Sequence, residues 1–158
     1  LTEQGLLQAL DAPGSWVHVA GHGVVHPGLQ GMAGLWSAPA PGEASAFISW
    51  LAIVGRRLPA ALVVLNACHL GDGGQAGDAP VASFAAALKA GGAGEVVAAM
   101  WPVSDAAAAV WVPAFYGALA EPDQQVAEAL RIAQRALRDS RAFRHPWYWA
   151  SLVHWTSP

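Results

Sequence analysis

The chain has 158 residues, 54% of them hydrophobic and 12% charged, with a net charge of −3. That length is enough for one domain with a real core, and that composition excludes a disordered chain. The acidic balance and the lack of any basic run argue against a nucleic-acid footprint, and no uninterrupted apolar run is long enough to span a membrane. One cysteine excludes an intrachain disulfide and fits a reducing, cytoplasmic setting. The start, Leu1-Thr2-Glu3-Gln4, lacks the basic region and long apolar stretch of a secretory signal. Its first residue is leucine rather than methionine, which suggests a piece of something longer. So few charges suggest faces covered by other domains or partners.

Residues 2–11 read as a short helix with Leu6, Leu7 and Leu10 on one side, broken by Asp11-Ala12-Pro13-Gly14. Trp16–Ala20 is the first strand, and its alternation points His18 away from Val17 and Val19. From Gly21 to Pro41 the chain is rich in glycine and proline, with apolar pieces at Val24-Val25 and Gly34-Leu35-Trp36. This reads as a long loop with room for one hairpin, placed to wall a substrate cleft. Residues 43–55 are expected to form a helix, with Phe47, Ile48, Leu51, Ala52 and Val54 as its apolar face. Leu62–Ala67 is a short, β-branched run and reads as a buried strand.

The loop 69–79 follows, then a helix from Pro80 to Ala90 with proline in its first turn. Glu95–Met100 is the third clear strand. Ser104 or Asp105 caps a helix running to about Ala120, in which Pro113 predicts a kink or break. Residues 124–139 give the best helical pattern, with Val126, Ala127, Leu130, Ala133, Ala136 and Leu137 on one face. Tyr148–Trp155 is expected to be a helical turn leading into a strand. Strands alternating with helices predict an α/β domain with a mostly parallel sheet and helices on both faces.

The chemistry gathers at two strand ends. Cys68 ends the Leu62–Ala67 strand and is followed by Gly71-Asp72-Gly73-Gly74, while His22 lies just past the first strand between Gly21 and Gly23. Two parallel neighbouring strands would bring both to one sheet edge, where ligands bind in open α/β sheets. An imidazole beside a thiol stabilises the nucleophilic thiolate. Taken alone, Cys68 reads as a small buried hydrophobe and His22 as a loop histidine. His18, His22 and His26 are four apart, a metal face on a helix, but they fall in strand and glycine loop, so no metal is expected. The glycine-rich segment is not a P-loop, and no Gly-x-Ser-x-Gly elbow occurs.

Val17-His18-Val19-Ala20-Gly21-His22-Gly23, Leu65-Asn66-Ala67-Cys68, Met100-Trp101-Pro102-Val103-Ser104-Asp105, Phe115-Tyr116, Ala129-Leu130-Arg131-Ile132-Ala133-Gln134 and His145-Pro146-Trp147-Tyr148-Trp149-Ala150 stand in this order. Together they resemble the landmarks of the CHAT family, caspase-like cysteine peptidases common in bacteria. The resemblance covers about residues 15 to 155. It implies a caspase-like three-layer sandwich over residues 1–158, lacking N-terminal strands of the full peptidase region. It implies His22 and Cys68 as a catalytic dyad, an oxyanion hole from the backbone N–H groups of Gly23 and Cys68, and no cofactor. Asp72 and Asp105 are candidate substrate-binding residues. Asp105 lies in a Trp-x-Val-x-Asp motif that in the related separases helps form a pocket for arginine. The expected function is a cysteine endopeptidase acting on a protein or peptide, with a regulatory sensor or repeat domain in the same chain or a partner. The alternative is an inactive binding or scaffold module of the same fold. A cysteine hydrolase or acyltransferase on another α/β fold is a third reading, and the glycines after Cys68 speak against it.

Overall fold

A computed structural model describes residues 1–25, 33–37, 39, 47–67 and 84–156 of the chain. Cys68, Asp72, His26 and the loop expected at 69–79 lie outside the described residues. The elements in order are α1 (Glu3–Asp11), β1 (Trp16–Ala20), β2 (Gly23–Val25), β3 (Ala33–Trp36), β4 (Phe47–Ser49), β5 (Leu62–Asn66), α2 (Phe84–Ala90), β6 (Glu95–Ala99), α3 (Asp105–Leu119), α4 (Val126–Asp139), α5 (Pro146–Trp149) and β7 (Leu152–Trp155). A short 3-10 turn, Trp50–Ala52, follows β4.

The main sheet has the order β1-β5-β6-β7. β1, β5 and β6 are parallel, and β7 closes the far side antiparallel to β6. The turn into β6 is held by Lys89, whose Nζ donates to the carbonyls of Ala93 (3.0 Å) and Gly94 (2.5 Å). Parallel strands covered on both faces carry continuous apolar runs, and all of Leu62, Val63, Val64 and Leu65 are buried. Alternation divides them. Val17, Val19, Val63, Leu65, Val96 and Ala98 pack under α1 and α2 through Leu6, Leu10, Phe84 and Leu88. Leu62, Val64, Val97 and Ala99 pack against α3 and α4 through Trp111, Phe115, Ala129, Leu130, Ala133 and Leu137. Each large side chain so buried contributes about 1.5–3 kcal/mol. The chain is thus a mixed α/β domain with a mostly parallel sheet between two helical layers, as the alternation of elements predicts.

Two expectations are corrected. The helix expected over 43–55 does not form across 47–52: Phe47–Ser49 is a strand paired antiparallel with β3, and the Ser49 hydroxyl accepts from Leu51 N–H (3.1 Å) to start the 3-10 turn. The apolar spacing there fits either period, and pairing with β3 decides it. Of the kink or break expected at Pro113, the break does not occur, since α3 runs unbroken from Asp105 to Leu119. The carbonyl a proline leaves without its helical partner belongs to residue i−4. Here that is Ala109, which lies on the exposed side of the helix, where a free carbonyl costs little.

The second sheet, β2-β3-β4, is the hairpin anticipated in the glycine-rich stretch, with β4 added. Its tightest point is Gly34. A Cβ there would lie 2.4 Å from the Ile48 carbonyl oxygen and 2.6 Å from Phe47 Cζ. Backbone is the obstacle, so a rotamer change cannot relieve it. Gly34→Ala is expected to lower stability by about 1–3 kcal/mol, read as a lower urea midpoint. An unchanged midpoint would mean that β3 and β4 separate at no cost.

Candidate functional site

Three neighbouring parallel strands end at one edge, and each leads into a residue the sequence singles out. β1 and β5 pair in register with Ala20 opposite Asn66, and Gly21 N–H carries the ladder one step further by donating to the Asn66 carbonyl (3.3 Å). His22 follows Ala20 by two residues. In the sequence Cys68 follows Asn66 by the same two. β6 pairs with β5 so that Leu65 lies opposite Ala98, and the chain leaves β6 at Ala99 toward Asp105. Such an edge is where open parallel sheets bind ligands.

His22 is exposed, and its backbone is fixed. Trp36 N–H donates to the His22 carbonyl (2.8 Å), which makes His22 and Trp36 a hydrogen-bonded antiparallel pair. Pairs alternate along such a ladder, so the next one, Gly23 with Leu35, is not hydrogen-bonded. The N–H of Gly23 therefore turns away from β3. Asn66 Oδ1 is buried with no hydrogen-bond partner among the described residues.

Asp105 is the first residue of α3 and is exposed. The cap belongs to Ser104, whose side chain accepts from Ala107 N–H (3.5 Å). Of the two residues the sequence offered for that role, Ser104 fills it, and the Asp105 carboxylate is not spent on a cap bond. The turn before α3 is braced by Trp101, which donates Nε1–H to the Trp147 carbonyl (2.9 Å) and packs on the Trp147 ring (centroids 5.7 Å).

Beneath this edge His18 faces the α3 layer, as the alternation of β1 predicts. Its ring stacks on Trp111 (6.2 Å), and its Nδ1 is hydrogen-bonded to the Tyr116 hydroxyl (2.9 Å). Nε2 is buried without a partner among the described residues. Burial pushes the His18 imidazole below its ordinary value of 6.5 and the Tyr116 phenol above 10.0. Sequence reasoning missed this contact, because 98 residues separate the two side chains and no local pattern links them. Among the described residues, no group of three or more His, Cys, Asp or Glu side chains could hold a metal ion.

The chain is a layered α/β protein with a mostly parallel sheet and an exposed histidine just past the end of one strand. The model of one family, the CHAT domain, matches residues 1–157, and the chain belongs to that family. It is similar to tetratricopeptide repeat protein 28 of mouse, at 38% identity over 97 residues, 61% of this chain and 4% of that protein. It is similar to the human protein of the same name at 33% over 101 residues, 64% of this chain and again 4% of the relative. The chain thus spans a small part of the length of these curated relatives. None of the helices among the described residues is long and apolar enough to cross a membrane.

The burial of His18 has a signed consequence. With its folded value below 6.5, the folded chain binds fewer protons than the unfolded chain just under that pH. The stability contributed by neutral His18 is complete above 6.5 and is lost as pH falls through the lowered folded value. His18→Phe keeps a ring against Trp111 and removes the titration. Its melting temperature is expected to fall less steeply than that of the wild type as pH drops below 6.5. Equal slopes would show that His18 titrates as freely when folded as when unfolded.

Proposed function

We propose that the chain is a cysteine endopeptidase domain of the caspase-like type, acting on a protein substrate through His22 and Cys68. The observation that carries this reading is the register of β1 and β5. With Ala20 opposite Asn66, the histidine and the cysteine follow adjacent parallel strands at the same offset. In this mechanism the Cys68 thiol gives its proton to the His22 imidazole, and Sγ attacks the scissile carbonyl carbon. The N–H groups of Gly23 and Cys68 stabilise the oxyanion, and the outward turn of the Gly23 N–H supports its part. His22 returns the proton to the leaving amine as the C–N bond breaks. Water then hydrolyses the thioester and frees the thiol.

Membership in the CHAT family supports the peptidase reading. The described architecture, a mostly parallel sheet between helical layers, supports a caspase-like sandwich. We read residues 1–158 as one such domain, with its sheet continued at the β1 edge by strands that another part of a longer chain or a partner supplies. β1 runs parallel to β5 and stands at the end of the sheet among the described residues, which leaves its other side open to such a strand. The names of the relatives support a tetratricopeptide repeat region, in the same chain or a partner, as regulator.

Cys68→Ala and His22→Ala are each expected to reduce kcat/KM on a peptide library by about 10³-fold or more with little change in melting temperature. Cleavage undiminished in Cys68→Ala would sink the dyad. A folded wild type that neither cleaves nor reacts with a thiol-directed peptide probe would favour the scaffold reading.

Asp105 and Asp72 are the candidates for substrate recognition, and Asp105 is the sharper one because Ser104 already caps α3. A carboxylate in that position would select a basic residue before the cut through a charge-assisted contact. Asp105→Asn is expected to lower kcat/KM for peptides with arginine there by about tenfold or more, and to leave apolar peptides unaffected. An unchanged preference in a positional scan would reject Asp105 as the selector.

A further inference from the structure

A cleft of about 1040 Å³ lies between α1, β4 and the segment after the 3-10 turn, and His22, Gly23 and Asp105 are not among its lining residues. Its walls carry opposite charge. Glu3 and Asp11 line it from α1, and Arg56 and Arg57 from the other side, with the half-buried Leu7 of α1 and Phe47 of β4 forming an apolar strip. Among the described residues the ion pairs are Arg131 with Glu128, Arg138 with Asp139 and His154 with Glu95, so none crosses the cleft. Arg56 is held by its Nε–H, which donates to the Ala52 carbonyl (2.8 Å), and this leaves its terminal N–H groups available.

Asp11 makes the charge arrangement more pointed. It is the last residue of α1, where the helix macrodipole disfavours an anion, and the last turn of that helix has no basic residue. A cation brought from outside would relieve it. From Glu3 to Asp11 the acidic wall runs about 12 Å along the helix axis, at ~1.5 Å per residue. That matches about four residues of extended chain at ~3.3 Å each. The opposing wall includes the outermost strand of the β2-β3-β4 sheet among the described residues, the kind of element beside which extended peptides lie.

We propose that this cleft is a docking site for an extended polypeptide segment that carries at least one acidic side chain for Arg56 and Arg57 and one basic side chain for Glu3 and Asp11. The apolar strip takes the side chains between them. His22 is not among the residues that line it, so docking does not engage the histidine. The cleft also adjoins the strand that holds the histidine. Ser37, which lines the cleft, directly follows Trp36, and the Trp36 N–H fixes the His22 carbonyl.

The test is fluorescence anisotropy of the whole chain with labelled peptides of about ten residues of alternating threonine and valine, a length that overspans the acidic wall. Four are compared: a glutamate pair before a lysine pair, the reverse order, glutamates alone and lysines alone. One of the mixed peptides is expected to bind about tenfold or more tighter than either single-charge peptide, with an affinity that falls as salt rises. Arg56→Glu with Arg57→Glu should remove that advantage, and so should Arg57→Glu alone in part. Adding Glu3→Lys and Asp11→Lys should restore binding with the preferred order reversed. Equal affinity for all four peptides, no saturable binding, or affinity that follows lysine content alone would overturn the proposal. Competition by inorganic phosphate as strong as that of the mixed peptide would reduce the cleft to a simple anion site. A dimer that dissociates on charge reversal would give the cleft to a second copy of the chain. Either result also rejects the peptide.

Discussion

The parallel pairing of β1 with β5 is the constraint on which the rest of the structure depends. It sets Ala20 against Asn66 and so fixes where both strands stop. A slip of one residue would exchange the faces of β1. Val17 and Val19 would leave the α1 and α2 layer, and His18 would leave Trp111 and Tyr116. The same slip would shift His22 relative to the end of β5. The register that builds the core thus also sets the geometry of the edge.

That edge is braced from three directions. From the side, β3 holds the His22 carbonyl through the Trp36 N–H, and the alternation of that ladder aims the Gly23 N–H outward. From below, α3 presents Trp111 and Tyr116 to His18, which sits on β1 four residues before His22. From the far side, the tryptophan contact between Trp101 and Trp147 anchors the turn that leads into α3. His18 is the joint between the core and the edge: its burial favours the neutral ring, and its Nδ1 is hydrogen-bonded to the Tyr116 hydroxyl.

The small second sheet connects two surfaces of different character. One end of β3 fixes His22, and the residue after β3 reaches the charged cleft. Charged residues make up 12% of the chain. Four of them face one another across that cleft without pairing, while the α4 face satisfies its charges locally through Glu128 and Arg131. Local pairing solvates a face. Separated, unpaired walls leave room for another molecule between them.

Much of this was legible in the sequence because it follows from local period. The short, β-branched apolar run Leu62–Leu65 reads as a buried strand by its length and composition, and the 3.6-residue stripe of α4 leaves little choice. The landmarks from Val17 to Ala150 are likewise properties of the one-dimensional chain, and they carried the family. Local period was silent or misleading where a distant partner decides. Phe47-Ile48-Ser49 fits a helix as well as a strand, and only β3 makes it a strand. Pro113 argues for a break, yet α3 continues because its packed stripe of Ala107, Trp111 and Phe115 outweighs one missing hydrogen bond on an exposed turn. The bond between His18 and Tyr116, the choice of Ser104 over Asp105 as cap, and the opposed charges of the cleft came only from the tertiary structure. Each depends on groups brought together from distant segments or on the exact direction of one side chain, and neither is encoded in the spacing of neighbours along the chain.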